Sequence, residues 1–233
     1  MLTFDQIITR SRLSRVRFAN QQQTLHHYGA ALGPFEVMIY VGANTGQELP
    51  YCRTWAKKIY AFEAASVDSV WLPLRNQSDE QITCINLALA EANESRQFWP
   101  ASNNWESSSL FQPGSHLTEF SHVGFGEPSL VECRRLDSFA FADDCEVLIM
   151  DVQGAEHNVL RGISNFSNIQ LILLEFTSPG LYHSGSTFVD CEQLLSSQGF
   201  VFVEAFDIYY NSTSSAYAGN AVFVKQNLLE KIV

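Results

Sequence analysis

Long apolar runs are missing from this 233-residue chain, and no window reaches the roughly 18 consecutive apolar residues that mark a membrane-spanning helix. No membrane span is expected. The N-terminus also lacks the apolar stretch of a secretory signal, because Asp5, Arg10, Arg12, Arg15 and Arg17 interrupt it. A cytoplasmic protein is expected, with an organelle transit peptide as the minor alternative for so basic a start. Positive charge is scarce overall: 14 Lys and Arg face 25 Asp and Glu, for a formal net charge of −11. The phosphate backbone of nucleic acid is repelled by such a surface, so nucleic-acid substrates are excluded. The basic cluster Arg10 to Arg17 has the spacing of a solvated helix face. Cysteine is sparse and unpatterned. Cys52, Cys84, Cys133, Cys145 and Cys191 form no Cys-x-x-Cys pair and no zinc spacing with histidine, and read as reduced, mostly buried thiols. Glycine and proline are absent between Thr3 and Tyr28, where Phe4, Ile7, Ile8, Leu13, Val16 and Phe18 recur at roughly helical spacing. One or two helices packed across a sheet edge are predicted there, ended by Gly33-Pro34.

What is present is a strand that breaks into a glycine turn. Val37 to Gly46 reads Val-Met-Ile-Tyr-Val-Gly-Ala-Asn-Thr-Gly, a strand of about Glu36 to Val41 followed by a tight turn and a helix from about Gly46 to Ala56. Two glycines let the backbone approach a ligand closely, and a following helix aims free N–H groups at it. A second strand, Ile59 to Phe62, ends in Glu63, a βαβ spacing close to that used to hold a ribose. A helix from Ser66 to Arg75 and a strand from Ile82 to Leu89 come next. Glu91 to Pro128 then changes character, with a serine run, scattered Pro and Gly, His116 and His122, and the aromatics Trp99, Trp105, Phe111, Phe120 and Phe125. A loop that long in a compact domain is functional or disordered, and its aromatics favour function, as a substrate-side cover. Further strands are predicted at Val131–Leu136, Glu146–Met150, Ile169–Phe176, Phe200–Ala205 and Ala221–Lys225, with helices from about Glu156 to Arg161 and Phe188 to Gln198. At 46% hydrophobic the chain suits one α/β domain: a doubly wound, mostly parallel sheet of seven strands with an antiparallel edge strand.

With these pieces in place the chain resembles the FkbM family of class I S-adenosylmethionine-dependent methyltransferases, which have a Rossmann-like fold. The residues behind the resemblance are Val41-Gly-Ala-Asn-Thr-Gly46, Phe62-Glu63, Ile149-Met-Asp-Val-Gln-Gly-Ala-Glu156 with Val159-Leu-Arg-Gly162, Leu174-Glu175, Leu181-Tyr182 and Gly219-Asn-Ala-Val-Phe-Val224. It implies a cofactor, S-adenosyl-L-methionine, and methyl transfer to a hydroxyl oxygen of a small-molecule or sugar-like acceptor. Two positions depart from the pattern: Tyr40 stands where an acid is usual, and Ala64 where a proline is usual. Tyr40 motivates an alternative in which the fold is kept but cofactor binding is weak or lost. A nicotinamide-dependent enzyme fits the glycine turn and Glu63 but not the block from Asp151 to Glu156.

Each part of the cofactor asks for different chemistry. Tyr40, Gly42, Asn44 and Gly46 are assigned to its methionine end, Glu63 and Ala64 to the ribose, and Asn86 and Ala88 to the adenine side; Asp151 also faces it. A hydroxyl is a poor nucleophile, so a general base is expected. Asp151 and Glu175 end neighbouring strands at the rim where such sheets bind ligands and lead the candidates. Glu156, in the first turn of a helix, reads equally as a helix-dipole partner, and His183 is a loop histidine on the same rim. Asn104, Trp105 and Ser109 are assigned to the acceptor. The three acids can supply hard oxygen ligands, but the spacing does not require a metal and none is expected. Oligomeric state, a homodimer included, is left open.

Overall fold

The computed structural model describes residues 4–10 and 20–232. Leu13, Val16 and Phe18, and the basic cluster beyond Arg10, lie outside the described residues. Two N-terminal helices, α1 (Phe4–Thr9) and α2 (Gln21–Leu32), lead into β1 (Phe35–Val41), a single helical turn α3 (Leu49–Cys52) and β2 (Ala56–Phe62). Next come α4 (Asp68–Arg75), β3 (Ile82–Ile85), the short β4 (Ala88–Leu89) and β5 (Glu94–Phe98). After α5 (His116–Glu119) the chain forms β6 (Ser129–Arg134), β7 (Cys145–Met150), α6 (Glu156–Arg161), β8 (Leu171–Thr177), α7 (Phe188–Ser197), β9 (Phe200–Tyr210) and β10 (Tyr217–Lys225).

Seven strands form the main sheet in the order β3-β2-β1-β7-β8-β10-β9. Pairing is parallel from β3 through β8, while β10 runs antiparallel to both β8 and β9. Alternate strand residues feed opposite layers, as the pleat dictates. Ile39, Val41, Leu148, Met150, Ile172 and Leu174 face a core shared with Val159 and Leu160 of α6 and with Phe188 and Leu195 of α7. Met38, Tyr40, Val147, Ile149, Leu171 and Leu173 face the other, with Leu25 and Tyr28 of α2 and Leu49 and Cys52 of α3. Burial on both faces explains why these strands read as nearly continuous apolar runs.

Two expectations change. The helix expected from Gly46 to Ala56 is the one turn α3, with Pro50 in its first positions; turns fill the remainder, and β2 begins at Ala56. The strand expected from Ile82 to Leu89 breaks after Ile85. Asn86 Nδ2 donates to the carbonyls of Glu63 (2.8 Å) and Ala65 (3.1 Å), so a side chain takes over where the ladder stops. Ala88 and Leu89 instead join a small second sheet, β4-β6-β5. No helix among the described residues is long and apolar enough to cross a membrane.

One buried polar pair fastens α2 to the far strand: Tyr28 donates a 2.6 Å hydrogen bond to Glu204 of β9. Burial pushes the Glu204 carboxyl up to about 7, although the tyrosine bond opposes the shift. A carboxyl raised in the folded state contributes most stability below its unfolded pKa and loses that contribution as pH rises through the folded value. Glu204→Gln should therefore flatten the decline in unfolding free energy between about pH 5 and 7; denaturant melts across that range check it, and an unchanged slope contradicts it.

Candidate active site

The carboxyl ends of β1, β2 and β7 meet at one rim, where Val41 is in register with Phe62 on one side and Met150 on the other. Gly42 leaves β1 at φ 81, and both its N–H and that of Ala43 reach the Phe62 carbonyl at 3.0 Å. A Cβ on Gly42 would lie 1.8 Å from the Asp151 carbonyl oxygen. The glycine is thus required by the approach of β1 to the chain leaving β7. From β2, Glu63 turns back under the glycine turn and is only 8% exposed. Its Oε2 accepts the Asn44 N–H at 2.8 Å and its Oε1 accepts the Ala65 N–H at 2.7 Å. Burial raises its pKa while those backbone donors pull the other way. Each oxygen keeps a lone pair for a further donor, so the carboxylate is oriented without being used up. A cleft opens around it. Leu87, Leu89, Phe98, Leu110 and Val152 give it apolar walls.

Behind this cleft, Gln153 sits at φ 53, and its amide nitrogen donates to Asp151 Oδ1 (2.8 Å) and Glu175 Oε2 (2.7 Å). The amide oxygen lies 2.8 Å from the Tyr182 hydroxyl, and the backbone carbonyl accepts a 2.7 Å bond from Ser109 Oγ. Burial raises both carboxyls. They also share a hydrogen bond, and the charges of Asp151 and Glu156 push Glu175 furthest. Beyond the pair lies a second opening, whose lining includes Asn103, Ser107, His116, His122, Gln153 and Glu175. Asp151 and Glu106 line both openings.

The structure sorts the candidate residues by position. Gly42, Asn44, Glu63, Ala64, Ala88 and Asp151 line the first opening, together with Trp105, which was assigned to the acceptor. Tyr40 does not: it is buried in the opposite core layer, its hydroxyl 3.2 Å from Gln21 Nε2. Gly46 faces the end of α4, and Gln77 just past that helix donates through Nε2 to its carbonyl at 3.0 Å, while Asn86 is spent on the carbonyls of Glu63 and Ala65 just past β2. Glu156 is 2% exposed and lines neither opening. Its Oε1 accepts the N–H groups of Val152 (3.1 Å) and Gly154 (3.3 Å), bracing the loop that carries Asp151, and burial pushes it up to about 7. His183 is exposed and held by a backbone bond to Gln112. Ser109 is buried against Gln153, and Asn104 is exposed and gives its carbonyl to Asn44 Nδ2 at 3.1 Å. The polar lining residues not among the candidates include Gln153, Glu106, Asn103, Ser107, His116 and His122. Gln153 stood inside the block that carried the resemblance, and a polar residue two positions past a strand-end acid was the available signal. Nothing in the sequence marks Glu106.

Six parallel or reversed strands around a leading β1, with β10 slotted antiparallel between β8 and β9 and a glycine turn after β1, define the class I methyltransferase fold. Residues 41–202 match the methyltransferase FkbM domain, and the chain belongs to that family. It is similar to the 2-O-methyltransferase NoeI of Sinorhizobium fredii, 31% identical over 113 residues, which is 44% of this chain and 46% of that protein. The match thus spans about half the length of that curated relative. Among solved structures, magnesium protoporphyrin IX methyltransferase from Synechocystis with bound SAM aligns over 88% of this chain and 79% of its own at 13% identity and a TM-score of 0.46. Precorrin-6y C5,15-methyltransferase from Geobacter metallireducens aligns over 90% and 94% at 10% identity and a TM-score of 0.48.

S-adenosylmethionine is the cofactor of this family, and the first opening suits it. The pinned Glu63 carboxylate matches a pair of ribose hydroxyls, the apolar walls match a purine, and Asp151 and Glu106 supply negative charge toward a cationic end. Among the described residues the lining holds no Lys or Arg, and α3 is a single turn. A dinucleotide's pyrophosphate would lack both neutralising partners.

Gln153→Leu strips two donors from the buried carboxyls and leaves Asp151 without compensation. A loss of about 2–4 kcal/mol at pH 8 is expected. Because removing donors raises the Asp151 pKa further, the deficit should shrink at pH 5, where the group takes up a proton. Denaturant melts at the two pH values check this, and a deficit independent of pH contradicts it.

Proposed function

We propose that the protein transfers a methyl group from S-adenosylmethionine to a hydroxyl oxygen of a sugar-like or other small polyhydroxyl acceptor. The observation that carries this reading is that two openings meet at a pair of acids: Asp151 and Glu106 line the cofactor-side cleft and the polar second opening alike. The similarity to a 2-O-methyltransferase supports oxygen as the atom methylated. When bound, the cofactor supplies an electrophilic methyl group. Methyl transfer is an in-line displacement, so the protein's work is alignment and the exclusion of water. Glu63 holds the ribose hydroxyls, and Asp151 faces the cationic end. Glu175 hydrogen-bonds an acceptor hydroxyl in the second opening and fixes its orientation. Asn103 and Ser107 offer an amide and a hydroxyl to further hydroxyl groups. The segment from residue 91 to 128 walls both openings through Trp105 and Glu106 and keeps water from the junction.

Calorimetry with S-adenosylhomocysteine should show binding to the wild type. Glu63→Ala should weaken it at least about tenfold, equivalent to about 1.4 kcal/mol, with little change for Glu175→Gln. Incubation with trideuteromethyl-labelled cofactor and a panel of methyl hexopyranosides, read by mass spectrometry, should give a labelled methyl ether. Absence of S-adenosylhomocysteine binding would sink the reading. Normal binding with full turnover in both Asp151→Ala and Glu175→Ala would leave the cofactor in place and remove these two acids from catalysis.

A further inference from the structure

The second opening contains a buried base whose role nothing described so far assigns. His116 begins α5, is 2% exposed and lines that opening with Asp151, Gln153 and Glu175. Its Nδ1 is buried and receives no hydrogen bond from another residue. The ring is set by aromatic neighbours: Phe120 at 4.9 Å, Phe125 perpendicular at 5.1 Å and Tyr182 at 5.4 Å between centroids. A buried histidine is ordinarily hydrogen-bonded, because an unpaired polar atom away from water costs about 1–3 kcal/mol. Here that capacity is left unspent in a ring that belongs to the lining of a polar opening.

We propose that His116 is the general base that takes the proton from the acceptor hydroxyl, a role resting on the methyl-transfer reading above. As the hydroxyl oxygen's lone pair forms the new bond to the methyl carbon, the O–H proton passes to an imidazole nitrogen. The carbon–sulfur bonding pair leaves with sulfur, and the products are a methyl ether, neutral S-adenosylhomocysteine and an imidazolium that returns its proton to solvent. The carboxyl pair is the poorer alternative, because both groups are engaged by the Gln153 amide nitrogen. Burial and the neighbouring His122 hold His116 below the ordinary imidazole range, so it is neutral and ready to accept. The groups facing it are His122, Glu106, Asp151 and Glu175 across the opening, Tyr182 against its ring and Glu119 on its own helix.

The test compares wild type with His116→Phe, which keeps an aromatic ring in the pocket, and with His116→Gln. Both should bind S-adenosylhomocysteine within about threefold of wild type, and methyl-ether formation should fall about a hundredfold or more, the usual share of a general base. The wild-type rate should decline as pH falls below the ordinary imidazole value of about 6.5, and that limb should vanish in His116→Gln. Added imidazole should restore part of the rate to His116→Ala, which a merely structural role would not predict. Turnover within threefold of wild type in His116→Phe or His116→Gln overturns the assignment. If the wild type itself fails to bind S-adenosylhomocysteine, the methyl-transfer reading fails instead. Nitrogen-15 NMR of the imidazoles in the ligand-free protein gives an independent decision. His116 should be neutral at pH 7 with an unprotonated nitrogen, and an imidazolium there rules it out as the base.

Discussion

Two carboxyl groups brought together under a protein surface repel, by about 4 kcal/mol for unit charges 4 Å apart at an effective dielectric constant of 20. The arrangement at the rim of this sheet depends on how Gln153 answers that repulsion. One amide nitrogen gives a hydrogen to each acid, and the amide oxygen meets the Tyr182 hydroxyl. The loop from β7 to α6 must place an amide at that point, which requires the left-handed backbone of Gln153 and the bracing of Val152 and Gly154 by the buried Glu156. It also requires β1 to come within touching distance of the Asp151 carbonyl, where Gly42 alone leaves room.

That chain of requirements explains why two acids in one short block behave so differently. Glu156 is turned inward to hold backbone, and Asp151 is turned outward to both openings. Glu63 follows a third pattern, pinned by two backbone donors yet facing the cleft. Carboxylates so held need no reorganisation when a polar ligand arrives, which is the property that makes preorganised sites effective.

Much of the fold was legible because its strands are buried on both faces. The apolar runs ending at Val41, Phe62, Met150 and Phe176 place the sheet, and the glycine turn and Glu63 place one wall of the cleft. What was not legible has physical causes. Asn86 ends a strand through side-chain bonds to a distant segment, a tertiary effect with no local signature. Tyr40 sits beside the glycine turn in sequence, but the period of two along a strand sends it into the opposite layer. Ser109 and Asn104 look like acceptor ligands by chemistry, whereas the first is consumed by Gln153 and the second offers its backbone. His116 was indistinguishable in sequence from its five fellow histidines, because its significance lies in having no partner, which only the packing of Phe120, Phe125 and Tyr182 reveals.

The cover from residue 91 to 128 is fastened to the same parts it covers. Pro113 pairs with Tyr182, Ser109 Oγ donates to the Gln153 carbonyl, and Glu106 lines both openings. On the proposed reading, one segment then shapes both the acceptor side and the methyl-donor side. A substitution in this loop that alters one opening alters a wall of the other, so the two specificities are mechanically tied and cannot be tuned as separate modules.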